Sequence, residues 1–176
     1  MSGKRERFLL IVVTGAAIAL ALTIVFSQGR DRPFNLAAIR DDSQPVPIVG
    51  RDHIAPGAPP SRYNSNPPTS GDHYPAPVRA AFYEQQVPDA YLVHNLEHGQ
   101  VWLSWRDEAD REAIELFRQL HEQFAEWVVV SHRPENDRRL AAAAWGRLLK
   151  LDAPDRDALT AFIMRYRDKA PESVPG

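Results

Sequence analysis

The sequence predicts an α+β domain that follows a single membrane-spanning helix. Three observations support this: an uncharged apolar run near the N-terminus, a proline-rich stretch after it, and alternating strand-like and helix-like segments from Val101 onward. The chain has 176 residues and an apolar fraction of 44%, which suits one folded domain plus an appendage. The net charge of −2 excludes a strongly basic nucleic-acid-binding protein, and the absence of cysteine excludes disulfides, thiolate metal sites and thiol catalysis.

The apolar run covers residues 8–26 and contains no charged side chain. A helix of that length rises about 28 Å, close to the roughly 30 Å hydrocarbon layer of a bilayer. Basic residues dominate positions 1–7, so the positive-inside rule predicts a cytoplasmic tail there and an extracytoplasmic C-terminal part, anchored in the cell membrane. A cleaved signal peptide is the alternative, with a cleavage site near Ser27. The apolar region of a signal peptide usually has about 7–15 residues. The run at 8–26 is longer, which favours the uncleaved anchor.

Ten of the fifteen prolines lie between Ser27 and Val87, where no helical or strand period is sustained. Irregular loops of this length are rare inside compact domains, so residues 27–50 are predicted to be a linker. From residue 51 onward the segment is rich in histidine and aromatic residues, which is untypical of a plain spacer. We therefore predict an extracytoplasmic domain over 51–176, whose first part, 51–87, is an extended arm wrapping the domain.

The elements after the arm follow from capping signals and apolar spacing. Pro88 and Asp89 open a short helix that Gly99 ends, and a strand over 101–105 follows. Asp107 is predicted to cap a helix that runs to about Phe124 with one apolar stripe.

The C-terminal part is predicted to complete the sheet. Residues 127–131 read as a strand, whereas 140–151 are ambiguous: four alanines favour a helix, but Gly146 and the short connection favour a strand. We assign a strand. A final helix begins at Asp152 and Pro154, so the predicted architecture is a small sheet with helices packed on one side.

Four of the six histidines, His53, His73, His94 and His98, fall within 46 positions. His94 and His98 are one helical turn apart on the same face, close enough to share one cation. His73 is the predicted third ligand, brought in by the arm, and His53 or Glu97 the fourth. Imidazoles with a carboxylate suit Zn²⁺, Cu²⁺ or Ni²⁺ better than Ca²⁺ or Mg²⁺. The predicted cofactor is zinc or copper.

Two other interpretations remain open. The histidines can form a polar cluster without metal, hydrogen-bonded to one another, to Glu97 or to Asp72, in a structural or protein-interaction module of the cell envelope. Alternatively, His94–His98 fits the H-x-x-E-H string of zinc hydrolases, in which the Glu activates water. Gly99 ends the helix at once, so this match is weak evidence. No nucleophile elbow, nucleotide loop or basic groove is visible, which gives no reason to predict an enzyme.

The pairing of PPTSGDHY (residues 67–74) with HNLEHG (residues 94–99) resembles a bacterial and archaeal family of membrane-anchored domains of unknown function, family 3105. The resemblance implies one N-terminal span, a proline-rich connection and one site that includes the histidines. It implies no reaction. The chain departs from the family pattern at Asp72, where proline is commoner, and an acid there is expected to support a ligand imidazole, as is Glu97.

Overall fold

The computed structural model describes residues 34–61 and 63–173. The predicted membrane-spanning helix at 8–26 and the tail at 1–7 lie outside the described residues. Within the described ranges, no helix is both long enough and apolar enough to span a bilayer. The chain divides into two units, Met1–Asn35 and Leu36–Gly176, and all elements below belong to the second unit.

The described residues form an α+β fold with a six-stranded sheet and three α-helices, which confirms the predicted class. In chain order the elements are β1 (Gln44–Pro45), β2 (Phe82–Gln86), α1 (Asp89–Glu97), β3 (Val101–Trp105), α2 (Arg111–Phe124), β4 (Val128–His132), β5 (Leu140–Ala144), β6 (Arg147–Leu151) and α3 (Arg156–Tyr166). The cap of the helix predicted at Asp107 lies three positions later, at Asp110, which accepts the capping hydrogen bond from the Ala113 amide.

The strand order across the sheet is β1-β6-β5-β3-β4-β2. The pairs β3–β4 and β4–β2 are parallel, whereas β5, β6 and β1 continue the sheet in antiparallel pairs. The ambiguous segment 140–151 is therefore strand, as predicted, but it forms two strands joined by a tight turn. Gly146 lies in that turn with φ +68°, a left-handed conformation that glycine adopts without strain.

The prediction of helices on one side of the sheet is wrong. Helices α2 and α3 cover the face that carries Trp105, whereas α1 covers the opposite face, which carries Trp102. Every residue of β3 and of β5 is buried. Because successive strand residues point to opposite faces, a strand buried along its whole length needs a covering layer on both sides.

The described part of the segment 27–50, which is predicted to be a linker, contains a strand and contacts helix α3. Strand β1 pairs with the start of β6, and Arg165 of α3 donates hydrogen bonds to the carbonyls of Leu36 and Ile39. Strand β2, inside the predicted arm at 51–87, pairs with β4 at the other edge of the sheet. Both edge strands are short and largely exposed, so neither carries the alternating apolar pattern from which a strand is predicted.

Asp41 attaches the residues just before β1 to the rest of the domain. Its carboxylate accepts hydrogen bonds from Ser43 and Tyr166 and lies 3.2 Å from the Arg147 guanidinium. Burial raises the pKa of Asp41, but these hydrogen bonds and the Arg147 charge outweigh it and lower the pKa to about 2. We expect Asp41→Asn to lower the free energy of unfolding by about 1 kcal/mol after discounting for solvent screening.

Because the carboxylate stabilises the fold only when ionised, that loss should be constant above about pH 4 and should shrink as the pH falls toward 2. Urea unfolding of both proteins between pH 2 and 7 measures it. A difference that grows at low pH would contradict the contacts described.

Gly99, just after α1, has φ +85°, and a Cβ there would lie 2.6 Å from Ser173 Oγ and 2.9 Å from Asp168 Cα. Gly57 has the same φ but open space around it, so it is a matched control for backbone strain alone. We expect Gly57→Ala to cost about 1 kcal/mol and Gly99→Ala about 2–3 kcal/mol in urea unfolding, because the Asp168 backbone must also move. Equal losses would show that the C-terminal segment does not pack against Gly99.

Candidate metal centre

The site begins with a short parallel pairing of two irregular segments. Residues 53 and 73 form an isolated parallel bridge, in which the Ile54 amide donates to the His73 carbonyl at 2.9 Å and the His73 amide donates to the Asp52 carbonyl at 3.0 Å. This pairing places the side chains of His53 and His73 next to each other, although twenty residues separate them in the sequence.

Helix α1 supplies the second half of the site. The Tyr74 amide donates to the Ala90 carbonyl at 3.1 Å, which docks the segment after His73 onto the first turn of the helix. His94 follows one turn later and Glu97 two turns later, and both are almost fully buried, with 4% and 1% of their surfaces exposed. Most of α1 is buried on all sides, so its polar residues need partners inside the protein.

Three imidazoles meet where these segments join. One ring nitrogen from each of His53, His73 and His94 lies within 4.8 Å of those of the other two. The His73 ring is 4.8 Å from the His53 ring and 5.1 Å from the His94 ring, edge-on to both. His73 has no exposed surface, whereas His53 is exposed, so one side of the group reaches solvent.

Backbone carbonyls fix which ring nitrogen is free in the two buried imidazoles. His73 Nδ1 lies 2.8 Å from the Gly71 carbonyl and His94 Nδ1 lies 2.6 Å from the Tyr74 carbonyl. A carbonyl oxygen can only accept, so each Nδ1 carries the proton and donates it. In the neutral rings each Nε2 then presents a lone pair, the arrangement that metal-binding histidines use.

A buried carboxylate lies against one of these lone pairs. Glu97 Oε2 is 2.9 Å from His73 Nε2, yet the contact does not have hydrogen-bond geometry. His73 Nε2 and both oxygens of Glu97 therefore have no hydrogen-bond partner among the described residues. Two electron-rich groups in contact without a proton between them repel each other, and burial removes the water that would solvate them. A cation held beside His73 Nε2 and Glu97 Oε2 would offset this repulsion.

His94 and His98 make a similar contact. Their Nε2 atoms are 2.8 Å apart, and His98 Nδ1 lies 3.3 Å from the Glu172 carbonyl. Both Nε2 atoms thus present lone pairs, so a proton or a cation must lie between them. Burial lowers the pKa of His94, the hydrogen bond to Tyr74 opposes this, and the three neighbouring imidazoles lower it further. His94 therefore favours the neutral form, which is the form that binds metals.

The structure places the three remaining predicted site residues, His98, Glu97 and Asp72, around this group of imidazoles. His98 is outside the group of three and contacts it through His94. Glu97, predicted as a supporting residue, is in direct contact with His73. The Asp72 carboxylate accepts hydrogen bonds from the amide and the hydroxyl of Ser61, which closes the loop before His73.

Sequence reasoning missed the carbonyls of Gly71, Tyr74 and Glu172, which orient the imidazoles. A backbone carbonyl has no residue signature, so no sequence signal could have identified them.

The geometry also differs from that expected of an H-x-x-E-H hydrolase. That string belongs to a helix of nine residues, and His98 is its C-cap rather than part of the helix. The third imidazole comes from the irregular segment around His73, whereas those enzymes take a further ligand from another long helix.

Comparison with protein families adds one finding. The family described as "Protein of unknown function (DUF3105)" matches residues 57–175, more than half of the chain. The chain belongs to this family. His73, His94 and His98 lie inside the matched range, and His53 lies just before it. No curated protein and no solved structure matches the chain significantly.

The tautomers can be measured in the metal-free protein. We expect His73 and His94 to show the Nδ1–H tautomer in long-range ¹H–¹⁵N spectra at pH 8, because each Nδ1 faces a carbonyl. His132 is the internal control, since its Nε2 lies 3.0 Å from the Arg106 carbonyl and should carry the proton. An Nε2–H tautomer at His73 would show that its lone pair does not face the site.

Proposed function

We propose that this member of the family binds one divalent transition metal ion, zinc or copper, through His53, His73 and His94. The observation that carries the proposal is the contact between His73 Nε2 and the Glu97 carboxylate, which are both buried and have no hydrogen-bond partner in the described part of the chain. A buried charge normally has a partner that neutralises it, and a cation bound at the adjacent imidazoles supplies one.

The donor set suits zinc or copper. Imidazole nitrogens with a carboxylate favour these metals over calcium or magnesium, which prefer all-oxygen sites. Nitrogens bound to one tetrahedral ion at about 2.0–2.1 Å are about 3.4 Å apart, so the group must contract on binding from separations of up to 4.8 Å. His53 can provide this movement, because it is exposed and lies outside the helices and strands.

Glu97 and His98 have different roles in this proposal. Glu97 contributes the negative charge that offsets part of the charge of the ion, from inside the protein. His98 contacts His94 from the more exposed side and is held by the Glu172 carbonyl.

A metal-free structural cluster is the competing function, and one contact favours it. A proton shared between the Nε2 atoms of His94 and His98 would satisfy both rings without metal. The same explanation does not extend to His73 and Glu97, because their contact lacks hydrogen-bond geometry. The metal site therefore accounts for more of the buried polar atoms.

The location of the site is part of the proposal and has its support in the sequence alone. The apolar run at 8–26 and the basic residues before it favour an anchored domain on the outer side of the cell membrane. An envelope protein as partner remains a proposal, as does the absence of nucleic-acid binding that the net charge favours.

The metal can be tested on the purified full-length chain after treatment with a chelator. We expect about one equivalent of Zn²⁺ or Cu²⁺ to bind and, at a hundredfold excess over the dissociation constant, to raise the free energy of unfolding by about 2.7 kcal/mol. His53→Ala should weaken binding by at least about 10- to 100-fold, the loss typical of disturbing a ligand shell. Calorimetric titration and thermal unfolding measure both effects.

His53 is the first choice for substitution because it is exposed, and His94→Ala is the second. His132→Ala is the matched control. The ring of His132 contacts Trp105 and the Arg106 carbonyl and is not part of the group of three imidazoles, so its loss should leave binding unchanged. A chain that is not stabilised by either metal would remove the proposal and favour the structural cluster.

A further inference from the structure

His98 lies outside the group of three imidazoles, yet its ring is oriented by the same kind of contact. Its Nδ1 lies 3.3 Å from the Glu172 carbonyl, which can only accept, so Nδ1 carries the proton and Nε2 presents a lone pair. His73 and His94 are held in the same way, each with Nδ1 on a backbone carbonyl. All three rings therefore have the arrangement that metal-binding histidines use.

The rings of His94 and His98 converge at their Nε2 ends. The ring centres are 4.7 Å apart, whereas the Nε2 atoms are only 2.8 Å apart. A neutral imidazole has one nitrogen lone pair, and the one on His94 Nε2 faces His98, so an ion bound there lies next to both rings. Two nitrogens on one tetrahedral ion are about 3.4 Å apart, so a small opening of this contact admits the ion.

The C-terminal segment 168–173 holds His98 in this position. The first amide of the segment donates to the Gly99 carbonyl at 2.8 Å, and the Glu172 amide donates to the Glu97 carbonyl at 3.0 Å. These bonds fix the backbone on both sides of His98, and the Glu172 carbonyl fixes the ring itself. A side chain that is already held loses little conformational entropy when it binds an ion.

We infer that His98 is the fourth ligand of the metal, so that the imidazoles of His53, His73, His94 and His98 enclose the ion and leave no open position. The inference rests on the proposed function, because it adds a ligand to that same ion. Zinc sites with four protein ligands are structural, whereas catalytic sites keep one position for water or substrate. The site therefore holds its ion and does not present it to a substrate.

The first test uses the full-length chain loaded with Co²⁺, whose visible absorption bands report its coordination. We expect the intense bands of tetrahedral Co²⁺ and no change when azide is added, because no position is open to an external ligand. This measurement needs no substitution, so it does not depend on how a variant folds.

The second test removes the fourth ligand. His98→Ala should bind Co²⁺ at least about 10-fold more weakly, and free imidazole should restore the bands because it fills the vacant position. His98 borders a cleft of about 420 Å³, so the gap left by its ring is open to solvent. A loss of packing alone would not be reversed by imidazole. His132→Ala is the matched control and should bind Co²⁺ like the unsubstituted chain, with no response to imidazole.

The outcomes separate the two proposals. Absence of Co²⁺ bands in the unsubstituted chain would remove the metal centre and the fourth ligand with it. Bands that azide shifts in the unsubstituted chain would reveal an open position and overturn the fourth ligand alone. A folded His98→Ala variant that binds Co²⁺ as tightly as the unsubstituted chain, or that does not respond to imidazole, would also overturn it.

Discussion

Two hydrogen bonds, from His73 Nδ1 to the Gly71 carbonyl and from His94 Nδ1 to the Tyr74 carbonyl, set the chemistry of the domain. They use the only proton of each neutral imidazole on the backbone, which leaves the Nε2 lone pair of His73 beside Glu97 and that of His94 beside His98. Both acceptors lie in the four residues around His73, so one short loop orients imidazoles from two parts of the chain.

The fold holds this loop from two sides. The bridge to residue 53 fixes it on one side, and the hydrogen bond from Tyr74 to Ala90 fixes it to α1. Helix α1 is in turn packed on a sheet whose central strands are buried on both faces, and its end is covered by the segment that contacts Gly99. The sheet therefore acts as a rigid base, and the site lies on the face that the arm and α1 cover.

The burial of Glu97 means that the site favours a positive charge next to this carboxylate. A carboxylate with 1% exposed surface and no hydrogen-bond partner among the described residues is unfavourable, and nearby imidazoles offset that cost only when they carry positive charge. In the proposed function, a bound metal ion provides this charge while the imidazoles remain neutral. The exposed ring of His53 leaves one side of the group of three imidazoles open to solvent.

The sequence alone determined the α+β class, the strand at Val101–Trp105 and the short helix ending at Gly99, because these depend on local signals: apolar period, caps and a left-handed glycine. It also singled out the histidines, since four of them in a short stretch is a pattern that the chain itself displays. The tertiary structure decided which of them meet. It placed His98 outside the group of three and set Glu97 against His73, because these positions depend on how the loop around residue 73 docks onto α1. It also placed α1 on the face opposite α2 and α3 and recruited β1 and β2 as edge strands. Pairing between distant segments is fixed by hydrogen bonds and burial across the sheet, and short exposed edge strands carry no periodic pattern that would reveal it.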